Sequence, residues 1–188
     1  DIIVMLDADG SMNPGEISLY VGALLTGADF AKGSRFLQGG GTDDMDWLRY
    51  LGNWALTRLV RAFYGSQYSD LCYGYNAFWR RTLNDLSLDA DGFEIETQIN
   101  IRILQANLKI SEVPSFEGRR LHGSSNLNTF RDGWRVLKTI LNEWLSPQIR
   151  ATPRNLRQPS SASWLAMPTA QPVYKKGDQR SVGAIGEG

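Results

Sequence analysis

Cysteine and histidine are almost absent from this 188-residue chain, which holds one of each, Cys72 and His122. A single cysteine excludes an internal disulfide and fits a reducing compartment. So few soft ligands argue against zinc sites built from them and against a Cys–His nucleophile pair. His122 reads as a loop residue. An excess of one charge is lacking too: 20 Lys and Arg balance 20 Asp and Glu. No global field therefore marks a nucleic-acid binder. No run approaches the roughly 20 apolar residues that cross a bilayer, and no signal-peptide pattern is present. The length suits one medium domain with a real core.

What is present is concentrated at the start. The apolar run Ile2-Ile3-Val4-Met5-Leu6 reads as a buried strand and delivers Asp7-Ala8-Asp9-Gly10. Residues two apart on an extended chain point to one side, so both carboxylates leave the strand end together. Ligands of open α/β sheets bind at the carboxyl ends of strands. Two hard oxygen donors there suit Mg²⁺ or Mn²⁺, which take one or two carboxylates beside phosphate oxygens and water. Asp7 and Asp9 are thus the candidate metal ligands. A solvated turn is the plain alternative. An EF-hand is excluded because its sixth and twelfth positions would be Met12 and Ser18 rather than Gly and Glu. A haloacid-dehalogenase-type phosphatase, with Asp7 as nucleophile and Asp9 as acid, is a remote alternative. A first strand that already carries the site also suggests earlier strands beside it, and hence the later part of a larger domain.

The rest of the chain alternates helix and strand signals. Asn13-Pro14-Gly15-Glu16 is a helix start with Glu16 completing a capping box, and an apolar stripe runs from Ile17 to Leu25. Residues 28–32 read as a strand, and residues 37–46 as a mobile loop rich in Gly and Asp. Residues 47–64 form the clearest helix, expected to bury Trp47, Leu51, Trp54, Ala55, Leu59 and Phe63. Residues 73–79 suggest a strand, 94–106 a helix, and 109–116 an edge strand because of Pro114. Residues 129–145 form a last helix, expected to bury Phe130, Trp134, Leu137, Ile140, Leu141 and Trp144. From Ser146 the periodicity ends, and six basic residues face Asp178 and Glu187. The expectation is a domain over 1–145 and a disordered basic tail over 146–188.

Four further segments line up behind the acid pair. They are Lys32-Gly33-Ser34-Arg35, Asp70 to Arg80 around Gly74-Tyr75, Gly92-Phe93-Glu94-Ile95-Glu96, and Glu112-Val113-Pro114 followed by Arg120-Leu121-His122-Gly123-Ser124-Ser125-Asn126. In this order they resemble the family-two glycosyltransferases of the dolichol-phosphate mannose synthase type, including bacterial polyprenyl-phosphate glycosyltransferases. The resemblance covers about residues 1–144. It implies the later part of a GT-A-type, Rossmann-like α/β domain, with helices flanking a mixed sheet. The family's opening region is absent, and so is the Lys that often follows its Gly-x-Ser.

The resemblance implies a nucleotide diphosphate sugar as donor and a polyprenyl phosphate as acceptor. Mg²⁺ or Mn²⁺ on Asp7 and Asp9 would neutralise the leaving diphosphate. An anionic acceptor oxygen needs no strong base, which agrees with the shortage of His. It needs a guanidinium fork instead. Arg35 and Arg120 are the first candidates, ahead of Arg49, Arg119 and Ser125, with Ser124 a further donor. Asp70 orients sugar or acceptor, or serves as base to a hydroxyl, and Glu96 is the better family match of the two acids opening the helix at 94. For Arg49, Asp70 and Glu96 a purely structural role is an equal reading. A lipid acceptor implies a cytoplasmic protein with peripheral membrane contact, through the basic tail or the helix over 129–145. Transfer to a glycan or lipid hydroxyl, and a catalytically incomplete fragment, are the competing readings.

Overall fold

The computed structural model describes residues 1–92, 94–121 and 128–145. The expected basic tail lies outside them, as do His122, Ser124 and Ser125. A four-stranded mixed sheet has the order β1-β4-β2-β5, built from β1 (Ile2–Met5), β2 (Phe30–Ser34), β4 (Asn76–Trp79) and β5 (Ile110–Pro114). β4 runs antiparallel to both neighbours, pairing Ile2 with Trp79 and Phe30 with Phe78. β2 and β5 are parallel, from Phe30 with Ile110 to Ser34 with Pro114. Consequently β1, β2 and β5 all point one way, and their carboxyl ends converge where β4 begins. Two short parallel strands, β3 (Gly41–Thr42) and β6 (Phe116–Glu117), extend that end.

Helices cover both faces. α1 (Ile17–Leu25) lies on one, where Tyr20, Leu24, Tyr73, Tyr75 and Val113 form a buried cluster. Tyr20 stacks on Tyr75 with ring centroids 4.2 Å apart. β2 is wholly buried, and it carries Gly33 because any Cβ there would collide with the Tyr20 hydroxyl and the Tyr75 carbonyl. α3 (Glu94–Gln105) covers the other face through Ile99 and Ile103, against Phe30 and Phe78. Its opposite side carries Ile101 into a third cluster with Val60 of α2 (Trp47–Tyr64) and Val136 and Ile140 of α4 (Thr129–Leu145). Sandwiched this way, α3 buries every residue from Thr97 to Ile103.

Several expectations shift. The strand placed at 28–32 spans Phe30–Ser34, that at 73–79 is only Asn76–Trp79, and the loop at 37–46 contains β3. Glu16 does not complete a capping box: its carboxylate accepts from the Ser115 hydroxyl and, at 3.2 Å, from the Phe116 amide. Asn13 caps the turn before α1, accepting from the Gly15 amide at 2.9 Å. α2 matches its expected span, capped by Asp46 and stopped by Gly65 in the left-handed region at φ 64°.

The two amphipathic helices are rotated from expectation, although Leu59 and Phe63 still pack against the buried cluster. α2 buries Asn53, Thr57 and Val60, and leaves Trp47 75% and Trp54 48% exposed. α4 buries Asp132, Val136 and Ile140, with Phe130 77% and Trp134 61% exposed. Ile140 agrees with expectation; Trp47, Leu51, Trp54, Ala55, Phe130, Trp134 and Trp144 do not. The reason is polar: Asn53 and Thr57 are drawn inward by hydrogen bonds to the 70–72 segment, and unpaired buried polar groups cost too much to be left there otherwise.

This orientation predicts an asymmetric response to truncation. Ile140→Ala should lose about 2–5 kcal/mol of unfolding free energy, whereas Trp134→Ser should change it by no more than about 0.5 kcal/mol. Urea unfolding reads both, and equal losses would contradict the outward placement of Trp134.

Candidate active site

The parallel strand ends deliver the candidate residues to one cavity of 460 Å³. Asp7 and Asp9 follow β1, Arg35 follows β2, and Glu117 lies in β6 just beyond β5. Gly10 has φ 82° with the Leu121 side chain over it, and the Leu121 amide donates to the Asp9 carbonyl at 3.0 Å. This crossing sets Arg120 beside the acid pair. Its Nε lies 3.3 Å from Asp9 Oδ2 and 3.0 Å from Asp44 Oδ2.

At the centre is a buried ion pair. Arg35 donates from Nε to Asp70 Oδ2 at 2.7 Å and from Nη2 to Asp70 Oδ1 at 2.9 Å. Its Nη1 reaches Glu117 Oε2 at 3.0 Å, and the guanidinium lies 4.7 Å above the Tyr73 ring. Asn53 of α2 donates to Asp70 at 2.7 Å and accepts from the Cys72 amide at 3.1 Å. Burial pushes the Asp70 carboxyl up, but the hydrogen bonds and charge of Arg35, with Lys32 and Asn53 behind them, outweigh it and hold it below the usual range. Lys32 is fully buried, donating to the carbonyls of Gly33 and Tyr73, and desolvation lowers its pKa.

Asp9 accepts from the Ser11 amide at 2.9 Å. Although burial acts to raise its pKa, Ser11 and Arg120 bring it below the ordinary value. Asp7 is raised, first by burial and then by the charges of Asp9 and Glu117. Two adjacent acids, one with no hydrogen bond to its carboxylate among the described residues and the other drawing in a guanidinium, fit a cation. Asp7 and Asp9 could hold Mg²⁺ or Mn²⁺ if phosphate and water complete the shell. Among the described residues no cluster of three or more His, Cys, Asp or Glu forms a closed metal cage.

The expected site residues separate into groups. Asp7, Asp9, Arg35, Arg49, Glu96 and Arg120 all line the cavity. Asp70 does not: it is 0% exposed and enclosed by Arg35 and Asn53, which is the structural one of its two readings. Arg35 is engaged by Asp70 and Glu117, which differs from the expected free phosphate fork. Arg49 pairs with Asp46 at 3.5 Å and Asp44 at 3.9 Å. Arg119 is exposed and is not among the cavity-lining residues. Glu94 meets Arg135 at 2.9 Å, whereas Glu96 faces the cavity, where burial, above all, lifts its carboxyl to about 7. Glu117, Asp44 and Asn53 were missed. Only Asn53 and Thr57, polar residues four apart on a helix, left a signal.

No family model matches the chain. It is 32% identical over 134 residues to glycosyltransferase AglJ of Haloferax volcanii, covering 70% of this chain and 43% of that protein. It is also 32% identical over 124 residues to polyprenol monophosphomannose synthase of Mycolicibacterium smegmatis, covering 64% of this chain and 47% of that one. Among solved structures it resembles glucosyl-3-phosphoglycerate synthase from Mycobacterium tuberculosis in complex with Mn²⁺, uridine diphosphate and glucosyl-3-phosphoglycerate. The TM-score is 0.55 at 25% identity, over 76% of this chain and 49% of that one. The chain belongs to the glycosyltransferases. It spans a little under half the length of these curated relatives.

Removing one partner of the central pair should be costly. Asp70→Asn is expected to lose about 3–5 kcal/mol by stranding Arg35, and the double variant with Arg35→Met to recover much of that. The sign with pH follows from the lowered carboxyl. Its stabilisation is complete above the unfolded pKa of about 3.9 and is lost as pH falls through the lower folded value. Urea midpoints at neutral and acid pH should therefore fall more for wild type than for the double variant. Equal falls would remove Asp70 as the source.

Proposed function

We propose that this chain carries the metal- and acceptor-facing part of an enzyme that moves a sugar, with inversion, from a nucleotide diphosphate to a polyprenyl phosphate. The observation that carries the reading is the charge of the cavity. Asp7, Asp9, Asp44, Glu96, Glu117 and Asp132 line it against Arg35, Arg49 and Arg120. A diphosphate would be repelled there unless a divalent cation came with it. The glucosyl-3-phosphoglycerate synthase of similar fold was crystallised with Mn²⁺ and uridine-diphosphate-glucose.

Asp7 and Asp9 would hold that cation, whose charge offsets what develops on the leaving diphosphate. Arg120, relieved of Asp9, then serves phosphate oxygens together with Arg49. Arg35 keeps its acids and gives the floor of the cavity a fixed shape. An acceptor already ionised at neutral pH needs no strong base.

Exposed side chains on two cavity-lining helices support a lipid acceptor. α2 and α4 both line the cavity, and their outward faces expose Trp47, Tyr50, Leu51 and Trp54, and Phe130 and Trp134. Arg58 stacks 4.9 Å from the Trp54 ring, and Arg131 and Arg135 flank Trp134. Aromatic and basic side chains together suit the headgroup level of an anionic bilayer. Among the described residues no helix is long and apolar enough to cross one.

Asp9→Asn in the intact protein should abolish Mn²⁺-dependent formation of an acid-labile lipid-linked sugar, while urea unfolding stays within about 0.5 kcal/mol of wild type. Undiminished transfer would remove Asp9 from the metal site, and a product stable to mild acid would favour a hydroxyl acceptor. Sedimentation with anionic vesicles should also weaken for Trp54→Ser combined with Trp134→Ser. Unchanged sedimentation would exclude these helices as the contact.

A further inference from the structure

Lys32 is wholly buried and is not among the cavity-lining residues. It follows Phe30 by two residues along β2, and so lies on the sheet face that α3 covers. An ammonium taken out of water is costly, and an unbranched apolar side chain would fill that space without the penalty. Burial lowers its pKa, and the charges of Asp70 and Glu96 oppose that effect. Its Nζ donates to the carbonyl of Gly33 at 3.2 Å and, from a distant part of the chain, to that of Tyr73.

The Tyr73 carbonyl belongs to an irregular wall. Residues 70–75, between α2 and β4, are neither helix nor strand, and Cys72, Tyr73 and Gly74 line the cavity. A largely buried segment without regular structure must find partners for its backbone group by group. Side chains supply them. The Leu71 and Cys72 amides donate to Thr57 and Asn53, each at 3.1 Å, and the Leu71 carbonyl accepts from Asn100 at 3.2 Å. Arg35 Nη2 donates to the Cys72 carbonyl at 3.4 Å, and Asn76 to the Gly74 carbonyl at 3.1 Å. Lys32 holds the carbonyl between those two. The wall meets the candidate metal ligand at its next residue: a Cβ on Gly74 would lie 3.4 Å from Asp7 Oδ1 and 2.7 Å from Glu96 Oε1.

We propose that Lys32 is a positioning residue of the donor site, whose ammonium holds the Tyr73 carbonyl and thereby keeps the Cys72–Gly74 wall in place beside Asp7. The proposal rests on the donor reading above, since the wall bears on the reaction through the cation and diphosphate that come to Asp7 and Asp9. Arg35 fixes Asp70 at the start of the segment, and Lys32 fixes the peptide that joins Tyr73 to Gly74. Without Lys32 two carbonyls lose a donor, and that peptide is free to turn toward another. Turning it carries Gly74 away from Asp7. A site that must place its ligand to within about 0.5 Å is sensitive to such a shift. An apolar side chain at position 32 would preserve the packing of the sheet on α3 and lose the wall.

Two readouts on the intact protein test this. Hydrogen exchange of the peptide over 71–76 reports on the wall directly, and calorimetry with Mn²⁺ measures affinity for uridine and guanosine diphosphates. Lys32→Met should speed exchange of that peptide by about tenfold and weaken the better-bound diphosphate by about tenfold. Ile140→Ala, destabilised at a residue outside the cavity lining, is the control, and should change diphosphate affinity by less than about twofold. Lys32→Arg keeps the charge and the donors but alters their reach. It should lose about threefold in affinity, which preserves the comparison if Lys32→Met does not fold. Affinity lowered no more in Lys32→Met than in Ile140→Ala would overturn the proposal and leave Lys32 a support of the fold alone. Weakened binding with unchanged exchange would overturn it too, because the charge would then act without the wall. Wild type that binds neither diphosphate would bring down the donor reading and the proposal together, whereas a wild type that binds and a Lys32→Met that matches it would bring down the proposal alone.

Discussion

The Arg35–Asp70 pair is the constraint on which the site depends. A carboxylate with no exposure and a guanidinium nearly as buried are tolerable only when well supplied with hydrogen bonds, and here they are. Asp70 takes two side-chain donors from Arg35 and one from Asn53, and Arg35 spends its remaining face on Glu117. Those contacts join the end of β2, the segment before β4, the middle of α2, and β6. Four pieces of chain distant in sequence are thereby fixed around one cavity. The same demand explains why α2 turns Asn53 and Thr57 inward: the buried pair and the backbone at Leu71 and Cys72 need their polar atoms there.

Fixing the floor in this way leaves the cavity short of positive charge. Arg35 is neutralised by its own acids, and Arg120 lies between Asp9 and Asp44. A pocket so rich in acids favours a cation, and the pairing of Arg120 with Asp9 shows where positive charge is drawn. Asp7 and Asp9 differ physically despite their common strand end. Asp9 is held ionised by Ser11 and Arg120, while Asp7 is raised by burial and by its neighbours. Proximity of like charges, relieved by an arriving cation, couples metal binding to the arrangement of the guanidinium nearby.

The helices that line the cavity present aromatic residues outward. That is costly for a helix meant to pack in a core, and monomeric proteins rarely gather large apolar side chains on one exposed face. Trp47, Tyr50 and Trp54 on α2, and Phe130 and Trp134 on α4, lie exposed on helices whose other residues line the charged cavity. On the proposed reading, an amphipathic acceptor with a phosphate head and a long hydrocarbon tail would use both.

Sequence alone determined much of this. A β-branched run ending in two acids placed Asp7 and Asp9 at a strand end, and apolar periodicity bounded α2 and α4, because those signals are local. The order of motifs also indicated the family. Which face of α2 and α4 turned inward was not legible, since periodicity marks an apolar stripe without saying whether protein or something else covers it. Nor was the partition of the charged residues: Asp70 reads as a free acid until Arg35, 35 residues away, is seen to enclose it, and Glu96 reads as a helix-start carboxylate until Gly74 is seen beneath it. Tertiary structure decided these points because burial and pairing are properties of distances between segments, and the free energy of a charge depends on what surrounds it rather than on its neighbours in the chain.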